Sequence, residues 1–265
     1  MVVENLYSAY KAREIKKKMK IRLLSDIHQE FYHDKKLYKS QGEDVLVLAG
    51  DINVGAASVC NALERFANEA KHVVYVTGNH EYYRRSISEV DDAISVFTRD
   101  IPNISFLNPG SVVIDGVAFI GANLWTNFRK DYIAKQACSR VISDFSVIKH
   151  FSTDYAANLH TEHIKYIRDA YSLYGPAMKK VIVTHFLPAV ECISAQYKDK
   201  PGEVDLLNYY FANDYGQEIA DMQNTTWLFG HTHDNVDIKL GDTRCIANPY
   251  GYYENKMYKE CIINV

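Results

Sequence analysis

The sequence has no Cys-x-x-Cys pair, no apolar stretch long enough to span a bilayer and no strong net charge. Its five cysteines are scattered singly, which is typical of proteins from a reducing, cytoplasmic compartment. The basic N-terminus also lacks the apolar run of a signal peptide, so we do not expect a membrane partner. The formal charge of −3 at pH 7 disfavours a protein that wraps nucleic acid.

No repeat, low-complexity segment or linker divides the 265 residues. That length is sufficient for one α/β domain with a large core. The composition, with 47% hydrophobic and 24% charged residues, is ordinary for a globular protein. We therefore predict a single domain over residues 19–265, preceded by an N-terminal extension at residues 1–18. Segments near 123–150 and 191–214 are predicted to cover the domain as a cap or lid.

Short apolar runs separated by a helical pattern predict parallel strands. Val45–Ala49 is a continuous apolar run, Val73–Thr77 is a second one, and residues 59–70 carry apolar side chains at helical spacing. This arrangement is a βαβ unit, whose two strands lie parallel in one sheet. Turn and cap signals predict further elements: hairpins at Asp115–Gly116 and Gly241–Asp242, strands at Val181–Thr184 and Thr226–Phe229, and a helix capped by Thr153 and stopped by Gly175–Pro176.

Polar clusters follow the apolar runs, at the points where buried strands would end. Ligands of an open α/β sheet bind beyond the carboxyl ends of its strands. Two side chains separated by one residue on an extended segment point to one face, so Asp26 with His28, and His231 with His233, can each converge. Carboxylate and imidazole groups in this pattern predict a dinuclear site for Mn, Fe, Zn or Ni. The clusters are Asp26–Ile27–His28, Gly50–Asp51, Gly78–Asn79–His80–Glu81, Thr184–His185 and Gly230–His231–Thr232–His233.

In this order the clusters resemble the signature of the calcineurin-like metallophosphoesterases: D-x-H, G-D, G-N-H-D/E, H and G-H-x-H. Other segments are similar to the small stand-alone bacterial and phage-type members: Leu124–Trp125–Thr126, Asp144–Phe145, Asn248–Pro249 and Gly251–Tyr252. The resemblance implies a four-layer α/β/β/α sandwich with a mixed, partly parallel double sheet. It also implies these metal ligands: Asp26, His28 and His233 for one ion, Asn79, His185 and His231 for the other, and Asp51 as the bridge.

The resemblance further implies dinuclear-metal-dependent hydrolysis of a phosphodiester or a phosphomonoester. In such sites a hydroxide shared by two divalent ions attacks phosphorus in line with the leaving group. We expect Mn ions, with Fe, Zn or Ni as alternatives. His80 is the one cluster histidine without a metal in this scheme, so we expect it to protonate the leaving oxygen or to stabilise charge on the phosphoryl group.

Three positions depart from the family pattern. Many members have an aspartate three residues after the bridging one, where it pairs with the active-site histidine, and protein serine/threonine phosphatases have an arginine beside it. This chain has Val54 and Gly55 there, and it has Tyr250 where an arginine is expected after Pro249. A carboxylate partner for His80 is therefore left open. A phosphoprotein phosphatase is disfavoured, because such enzymes hold phosphate with that arginine.

Candidate substrate contacts come from the two cap segments. Trp125, Phe128 and Arg129 could form a wall with a stacking face and a phosphate clamp, and Asn208 could line the cleft. A surface cap over the sheet is an equally good interpretation of the same residues. The aromatic residues suggest that the small phosphorylated substrate is a nucleotide or cyclic nucleotide.

Two alternative functions remain open at this stage. One is a nuclease or RNA end-processing phosphoesterase, against which the absence of a basic stripe weighs. The other is a non-catalytic binding scaffold, which is disfavoured since every expected ligand position keeps a competent side chain. His160 and His163 stand one helical turn apart without a carboxylate, so they are expected to be ordinary helix-face residues.

Overall fold

The structure, a computed structural model, describes residues 18–32, 38–198, 203–252, 259–260 and 262–265. The extension predicted at residues 1–18 lies outside the described residues, except for Lys18. The described strands are β1 (Lys20–Leu24), β2 (Val45–Ala49), β3 (Val73–Val76), β4 (Ile104–Phe106), β5 (Gly110–Ile114), β6 (Val117–Ala122), β7 (Lys179–Thr184), β8 (Thr225–Phe229), β9 (Val236–Leu240), β10 (Thr243–Ala247) and β11 (Ile262–Asn264). The described α-helices are α1 (Ala56–Glu69), α2 (Ile87–Thr98), α3 (Tyr132–Val141), α4 (Asp144–Val147), α5 (Thr153–Tyr174), α6 (Glu203–Phe211) and α7 (Gly216–Ala220).

The strands form two mixed sheets. One has the order β11-β1-β2-β3-β4, and the other has the order β5-β6-β7-β8-β10-β9. Strands β1 to β4 run parallel, with β11 antiparallel to β1 at the edge. In the second sheet β6, β7, β8 and β10 run parallel, and the antiparallel strands β5 and β9 form the two edges. Each parallel set therefore presents its carboxyl ends along one edge of its sheet.

The apolar runs are continuous because both faces of each sheet are covered. Val47 of β2 packs with Val183 of β7 in a buried cluster between the sheets. The neighbouring Leu48 points away from the other sheet, into a second buried cluster that includes Leu63 of α1. The same cluster includes Ile167 of α5, on the far side of the sandwich. Alternate residues of one strand thus face a sheet and a helix layer. The predicted four-layer α/β/β/α sandwich with a mixed, partly parallel double sheet is confirmed.

The local predictions agree with the structure except at one helix cap. Strand β2, helix α1 and the parallel strand β3 form the predicted βαβ unit. Both predicted hairpins are present, between β5 and β6 and between β9 and β10. Thr153 is not the cap of α5: the hydroxyl of Ser152 accepts a hydrogen bond from the Tyr155 N–H, so the helix begins one residue earlier than predicted. Among the helices of the described residues, none combines the length and apolarity needed to cross a bilayer.

Candidate metal centre

The loops that follow β1, β2, β3, β7 and β8 meet at one end of the sandwich. Main-chain hydrogen bonds from Asp26 N to Gly50 O and from His28 N to Asp51 O, both 3.0 Å, join the loops after β1 and β2. The two sheets are joined there as well, because the His231 N–H donates to Asp26 Oδ1 at 3.0 Å. The parallel topology therefore brings the predicted clusters from both sheets to one place.

Four side chains around Asp26 form the first candidate ligand group. Asp26, His28, Asp51 and His233 each offer one ligand atom, and these atoms lie within 4.8 Å of one another. His233 Nε2 is 3.2 Å from both Asp26 Oδ1 and His28 Nε2. His28 Nε2 is 3.8 Å from Asp51 Oδ2. One cation could therefore contact two carboxylates and two imidazoles at this position.

A second candidate group shares Asp51 with the first. Asp51, His185 and His231 also offer atoms within 4.8 Å of one another, and His185 Nε2 is 3.5 Å from Asp51 Oδ2. Asn79 Oδ1 adds an amide oxygen, 3.1 Å from His185 Nε2. His185 Nδ1 is 2.8 Å from the Ala49 carbonyl, to which it donates, so its Nε2 keeps a lone pair for the site. Because Asp51 belongs to both groups, the arrangement fits two neighbouring ions.

The polar atoms of the site do not fully satisfy one another by hydrogen bonding, whereas a pair of cations would bind their free lone pairs. His231 Nε2 is buried and has no hydrogen-bond partner among the described residues. His28 Nδ1 lies 3.0 Å from Glu30 Oε1 and donates to it, so His28 Nε2 faces His233 Nε2 with a lone pair. Buried lone pairs without a donor are costly unless a cation binds them. The carboxylate, imidazole and amide donors suit Mn, Fe, Zn or Ni.

The backbone is strained at most of the expected ligands. Such left-handed conformations are unfavourable for residues with side chains, cost on the order of 1–3 kcal/mol each, and cluster at functional sites. These conformations direct side chains from separate loops toward one point, which the favoured backbone conformations would not do. The expected ligands with positive φ are Asp26 (50°), His28 (48°), Asp51 (55°), His231 (66°) and His233 (50°).

Glu81 holds the loops after β2 and β3 together. Its buried carboxylate accepts hydrogen bonds from the N–H groups of Asp51 at 3.1 Å, Ile52 at 2.9 Å and Gly78 at 2.9 Å. The Tyr75 hydroxyl donates to the same carboxylate at 3.1 Å. The approach leaves no room for a side chain at Gly78, where a Cβ would lie 2.5 Å from Asp51 N. The sequence motif contains Glu81, but its spacing gave no indication of this positioning role.

Asp144 orients the amide of Asn79. Its carboxylate accepts from Asn79 Nδ2 at 3.2 Å, from the Tyr83 hydroxyl at 2.8 Å and from the Tyr210 hydroxyl. With its NH₂ group turned to Asp144, the Asn79 amide points its oxygen at His185. Burial raises the pKa of Asp144, although the tyrosine hydrogen bonds lower it in part. No periodic pattern in the sequence connects these residues, which come from four separate segments.

The carboxylates among the expected ligands are ionised. Burial raises the pKa of Asp26, but the charge and hydrogen bond of the His233 imidazole outweigh it and lower the pKa to about 2. Burial raises the pKa of Asp51 as well, but the charges of the His185 and His80 imidazoles lower it to well below its usual value. Two anionic groups buried this close together favour the binding of cations.

His80 lies at the border between the metal groups and the cleft. Its main-chain N–H donates to Asp51 Oδ1 at 2.9 Å, and its ring stacks on Tyr83 with centroids 4.2 Å apart. Burial lowers the pKa of His80, but the charges of Asp51 and Glu30 raise it to about 9. The side chain is partly exposed to the cleft, so a bound molecule can reach it.

Trp125 and Phe128 do not form the predicted stacking wall. Both side chains are fully buried, and neither lines the cleft. The ring of Trp125 packs against those of Phe151 and Phe186, with centroids 4.6 and 5.1 Å away. The chain after β6 turns back into the core, so its aromatic residues serve packing. The sequence left both interpretations open, because a large aromatic residue suits either a core or a cleft.

Arg129 is held away from the cleft, whereas Asn208 lines it. The Arg129 guanidinium donates to the carbonyls of Asn208 at 2.8 Å and Ala212 at 3.1 Å. It also lies over the ring of Tyr209, 4.2 Å from the centroid. Arg129 therefore ties its loop to the end of α6, and the predicted phosphate clamp is wrong at this residue.

His160 and His163 are buried and join no metal group of the described residues. His160 Nδ1 donates to Leu124 O at 3.0 Å, and its Nε2 accepts from the Tyr215 hydroxyl at 2.6 Å. His163 Nδ1 accepts from the Leu124 N–H at 3.2 Å. Burial lowers the pKa of His160 to about 4 and that of His163 to about 3. Both imidazoles are therefore neutral, and in that form they hold the loop after β6 through their hydrogen bonds to Leu124.

A cleft of about 770 Å³ opens beside the metal groups. Tyr252 covers part of its floor, with its ring centroid 4.6 Å from that of His28 and 4.4 Å from that of His233. Among the described residues that line the cleft there is no lysine or arginine. Besides Asp51 and the site histidines and tyrosines, its lining includes apolar side chains and two further acidic ones: Val141, Ile142, Leu187, Ile193, Leu207, Phe211, Asp144 and Asp234.

Comparisons with known proteins support the fold and identify a family. A profile of the family described as calcineurin-like phosphoesterase matches residues 19–235. The chain is similar to an uncharacterized protein of Acanthamoeba polyphaga mimivirus, with 28% identity in an alignment 259 positions long that covers 88% of this chain and 91% of the viral one. Its fold is similar to that of the phosphopantetheinyl hydrolase of Mycobacterium tuberculosis, with a TM-score of 0.74 and 15% identity over 94% of this chain and 96% of the other.

Proposed function

The chain belongs to the calcineurin-like phosphoesterase family of metal-dependent hydrolases, and on that premise we propose that it hydrolyses a small phosphoester at the paired Asp and His groups. The observation that carries this proposal is the convergence of two ligand groups on the shared Asp51, directly beside an open cleft. A site that only stabilised the fold would not need to be open to solvent.

The described residues divide naturally between two divalent ions. When bound, such a pair acidifies a shared water and polarises the phosphoryl group for in-line displacement. We propose Mn as the native metal, with Fe, Zn or Ni as alternatives. The proposed ligands are Asp26, His28 and His233 for one ion, Asn79, His185 and His231 for the other, and Asp51 between them.

Polar groups next to the ligands orient them, and one such group is placed to assist the departure of the leaving group. The Ala49 carbonyl fixes the tautomer of His185, and Asp144 turns the amide oxygen of Asn79 toward the site. His80 borders both the ligands and the cleft, so we propose that its imidazole donates a proton to the leaving oxygen. A neutral leaving alcohol departs more readily than an alkoxide.

The lining of the cleft supports a substrate with one phosphoryl group and an uncharged, partly apolar remainder. The described part of the lining offers aliphatic and aromatic side chains but no lysine or arginine, and it includes the carboxylates of Asp144 and Asp234. A polynucleotide or a nucleoside triphosphate carries several negative charges, for which the described lining offers no lysine or arginine. Nucleoside monophosphates, cyclic nucleotides and phosphopantetheinyl esters all meet the requirement.

A substrate panel with controlled metal content tests this function. We expect the metal-free protein to be inactive and Mn to restore hydrolysis of bis-p-nitrophenyl phosphate or p-nitrophenyl phosphate. Single-phosphoryl esters should be hydrolysed faster than nucleoside triphosphates or oligonucleotides of equal concentration. Asp51→Asn should abolish activity and reduce the bound metal, while the matched control Asp92→Asn, at an exposed residue of α2, should change neither.

The results that contradict the proposal are equally specific. Absence of turnover on the whole panel, with two ions bound per chain, would favour a binding scaffold. Preference for an oligonucleotide would favour a nuclease and would refute the substrate class inferred from the cleft lining.

A further inference from the structure

Glu30 contacts both His28, an expected metal ligand, and His80, the proposed proton donor. It follows His28 by two residues, in a short 3-10 turn over Gln29–Phe31. Its Oε1 lies 3.0 Å from His28 Nδ1 and 3.2 Å from His80 Nδ1. We propose that Glu30 is the carboxylate that positions His80, in place of the one that the family pattern leads us to expect at Val54. This inference rests on the proposed function of His80 as proton donor.

The contact with Glu30 fixes the imidazole of His80 in a defined orientation. With Nδ1 donating to Glu30, the ring must turn its other nitrogen, Nε2, away from the carboxylate. The stack on Tyr83 and the main-chain bond to Asp51 restrain the same residue from two further directions. A ring held on three sides keeps one rotamer, which is what a proton donor needs for efficient transfer.

The partly buried position of the Glu30 carboxylate is not explained by folding alone. Its second oxygen, Oε2, is buried and has no hydrogen-bond partner among the described residues. An unpaired buried carboxylate oxygen is unfavourable for stability, so a residue selected only for folding would not be an acid here. The side chain instead directs its paired oxygen at the two imidazoles, whose rings lie 4.5 Å apart at 71°.

The same carboxylate links the expected metal ligand to the expected proton donor. Glu30 holds His28 through Nδ1, which leaves His28 Nε2 for the metal groups, and it holds His80 in the same way. A carboxylate behind a ligating histidine fixes the ring orientation and raises the basicity of the ligand. One side chain therefore sets the geometry of both rings.

Leaving-group dependence in Glu30 variants tests the proposal. For Glu30→Ala we expect kcat on an alkyl phosphoester, a poor leaving group, to fall about 10- to 100-fold with little change in KM. The loss on a p-nitrophenyl ester should be several-fold smaller, because this good leaving group needs no proton. Glu30→Gln keeps an acceptor oxygen for Nδ1 and should recover part of the loss. In a His80→Ala background, Glu30→Ala should cause no further loss on the alkyl ester.

A second readout does not depend on activity. In nitrogen-15 spectra of histidine-labelled, metal-free protein, the wild type should show a protonated, hydrogen-bonded Nδ1 at His80, and Glu30→Ala should lose that signal. Two ions per chain should remain bound at saturating metal. Thermal unfolding verifies that each variant folds, and Glu162→Gln, at an exposed residue of α5, serves as the matched control.

Several outcomes would overturn the proposal. Equal losses on both leaving groups, or a further loss of the same size in the His80→Ala background, would show that Glu30 does not act through His80. A third ion in the wild type that is lost in Glu30→Ala would make His28, Glu30 and His80 a metal site. If the wild type lacks metal-dependent turnover, the proposed function fails, while the spectra still decide whether Glu30 orients His80.

Discussion

The buried pair His160 and His163 predicts that the fold loses stability in mild acid. Burial lowers the pKa of His160 to about 4, and burial with the charge of His160 lowers that of His163 to about 3. The pKa of each group in the folded state lies below the usual value of 6.5 for the unfolded chain. As the pH falls below about 6.5, the unfolded chain therefore takes up protons that the native state cannot bind, and the free energy of unfolding decreases.

The size of this effect follows from the two pKa values. For either histidine, lowering the pH from about 7.5 to about 5 removes about 2 kcal/mol of stability. Together they remove about 4 kcal/mol, a large part of the 5–15 kcal/mol that is typical of a domain. The structural reason is that protonated His163 can no longer accept the Leu124 N–H, which leaves a buried donor unpaired.

Urea denaturation of metal-free protein at the two pH values measures this effect. In His163→Gln the amide oxygen can still accept the Leu124 N–H but does not titrate. We expect its stability to decrease by about 2 kcal/mol less than that of the wild type between the two pH values. His150→Gln, at an exposed histidine, is the matched control and should follow the wild type. If His163→Gln also parallels the wild type, His163 does not stay neutral in the fold and the reasoning is refuted.

Four further substitutions test the packing around the site and the lining of the cleft. Gly78→Ala should displace Asp51 and lower metal affinity at least 10-fold, because its Cβ would lie 2.5 Å from Asp51 N; metal titration checks this. Glu81→Ala should destabilise the protein by about 3 kcal/mol or more in urea, since three buried N–H groups lose their acceptor. Trp125→Ala should lower stability by about 3–5 kcal/mol. Asn208→Ala should raise KM, because Asn208 lines the cleft, and should lower Tm modestly, since its side chain loses the hydrogen bond that it donates to Tyr197 O; an unchanged KM would exclude it from substrate binding.

Much of the fold and of the expected ligand set could be predicted from the sequence because both depend on short-range patterns. A continuous apolar run such as Val45–Ala49 indicates a strand buried on both faces, and Gly50–Asp51 directly after it indicates a strand end. The parallel topology then brings distant strand ends together without further information. Asp26 and His231 are 205 residues apart in the chain, yet the side chain of one accepts the main-chain N–H of the other.

The residues that support the ligands could not be predicted in this way. Asp144 reaches Asn79 from a segment 65 residues further along, and nothing in its own neighbourhood indicates that contact. Trp125 was ambiguous for a different reason, because an aromatic residue after a strand can face a cleft or a core. The direction of the chain after β6 decides between the two, and that direction depends on long-range contacts such as those of His160 and His163 with Leu124.

The substitution of Val54 for an expected aspartate has a simple structural explanation in this arrangement. The loops after β1 and β2 run side by side, joined by the hydrogen bond from His28 N to Asp51 O. The family pattern places the carboxylate that pairs with this histidine at position 54 in the loop after β2, whereas the carboxylate that reaches His80 in this chain comes from position 30 in the loop after β1. Comparing motifs position by position detects the first possibility and misses the second. In a site assembled from several strand ends, an absent motif residue therefore argues against a function only if the neighbouring loops offer no side chain with the same chemistry.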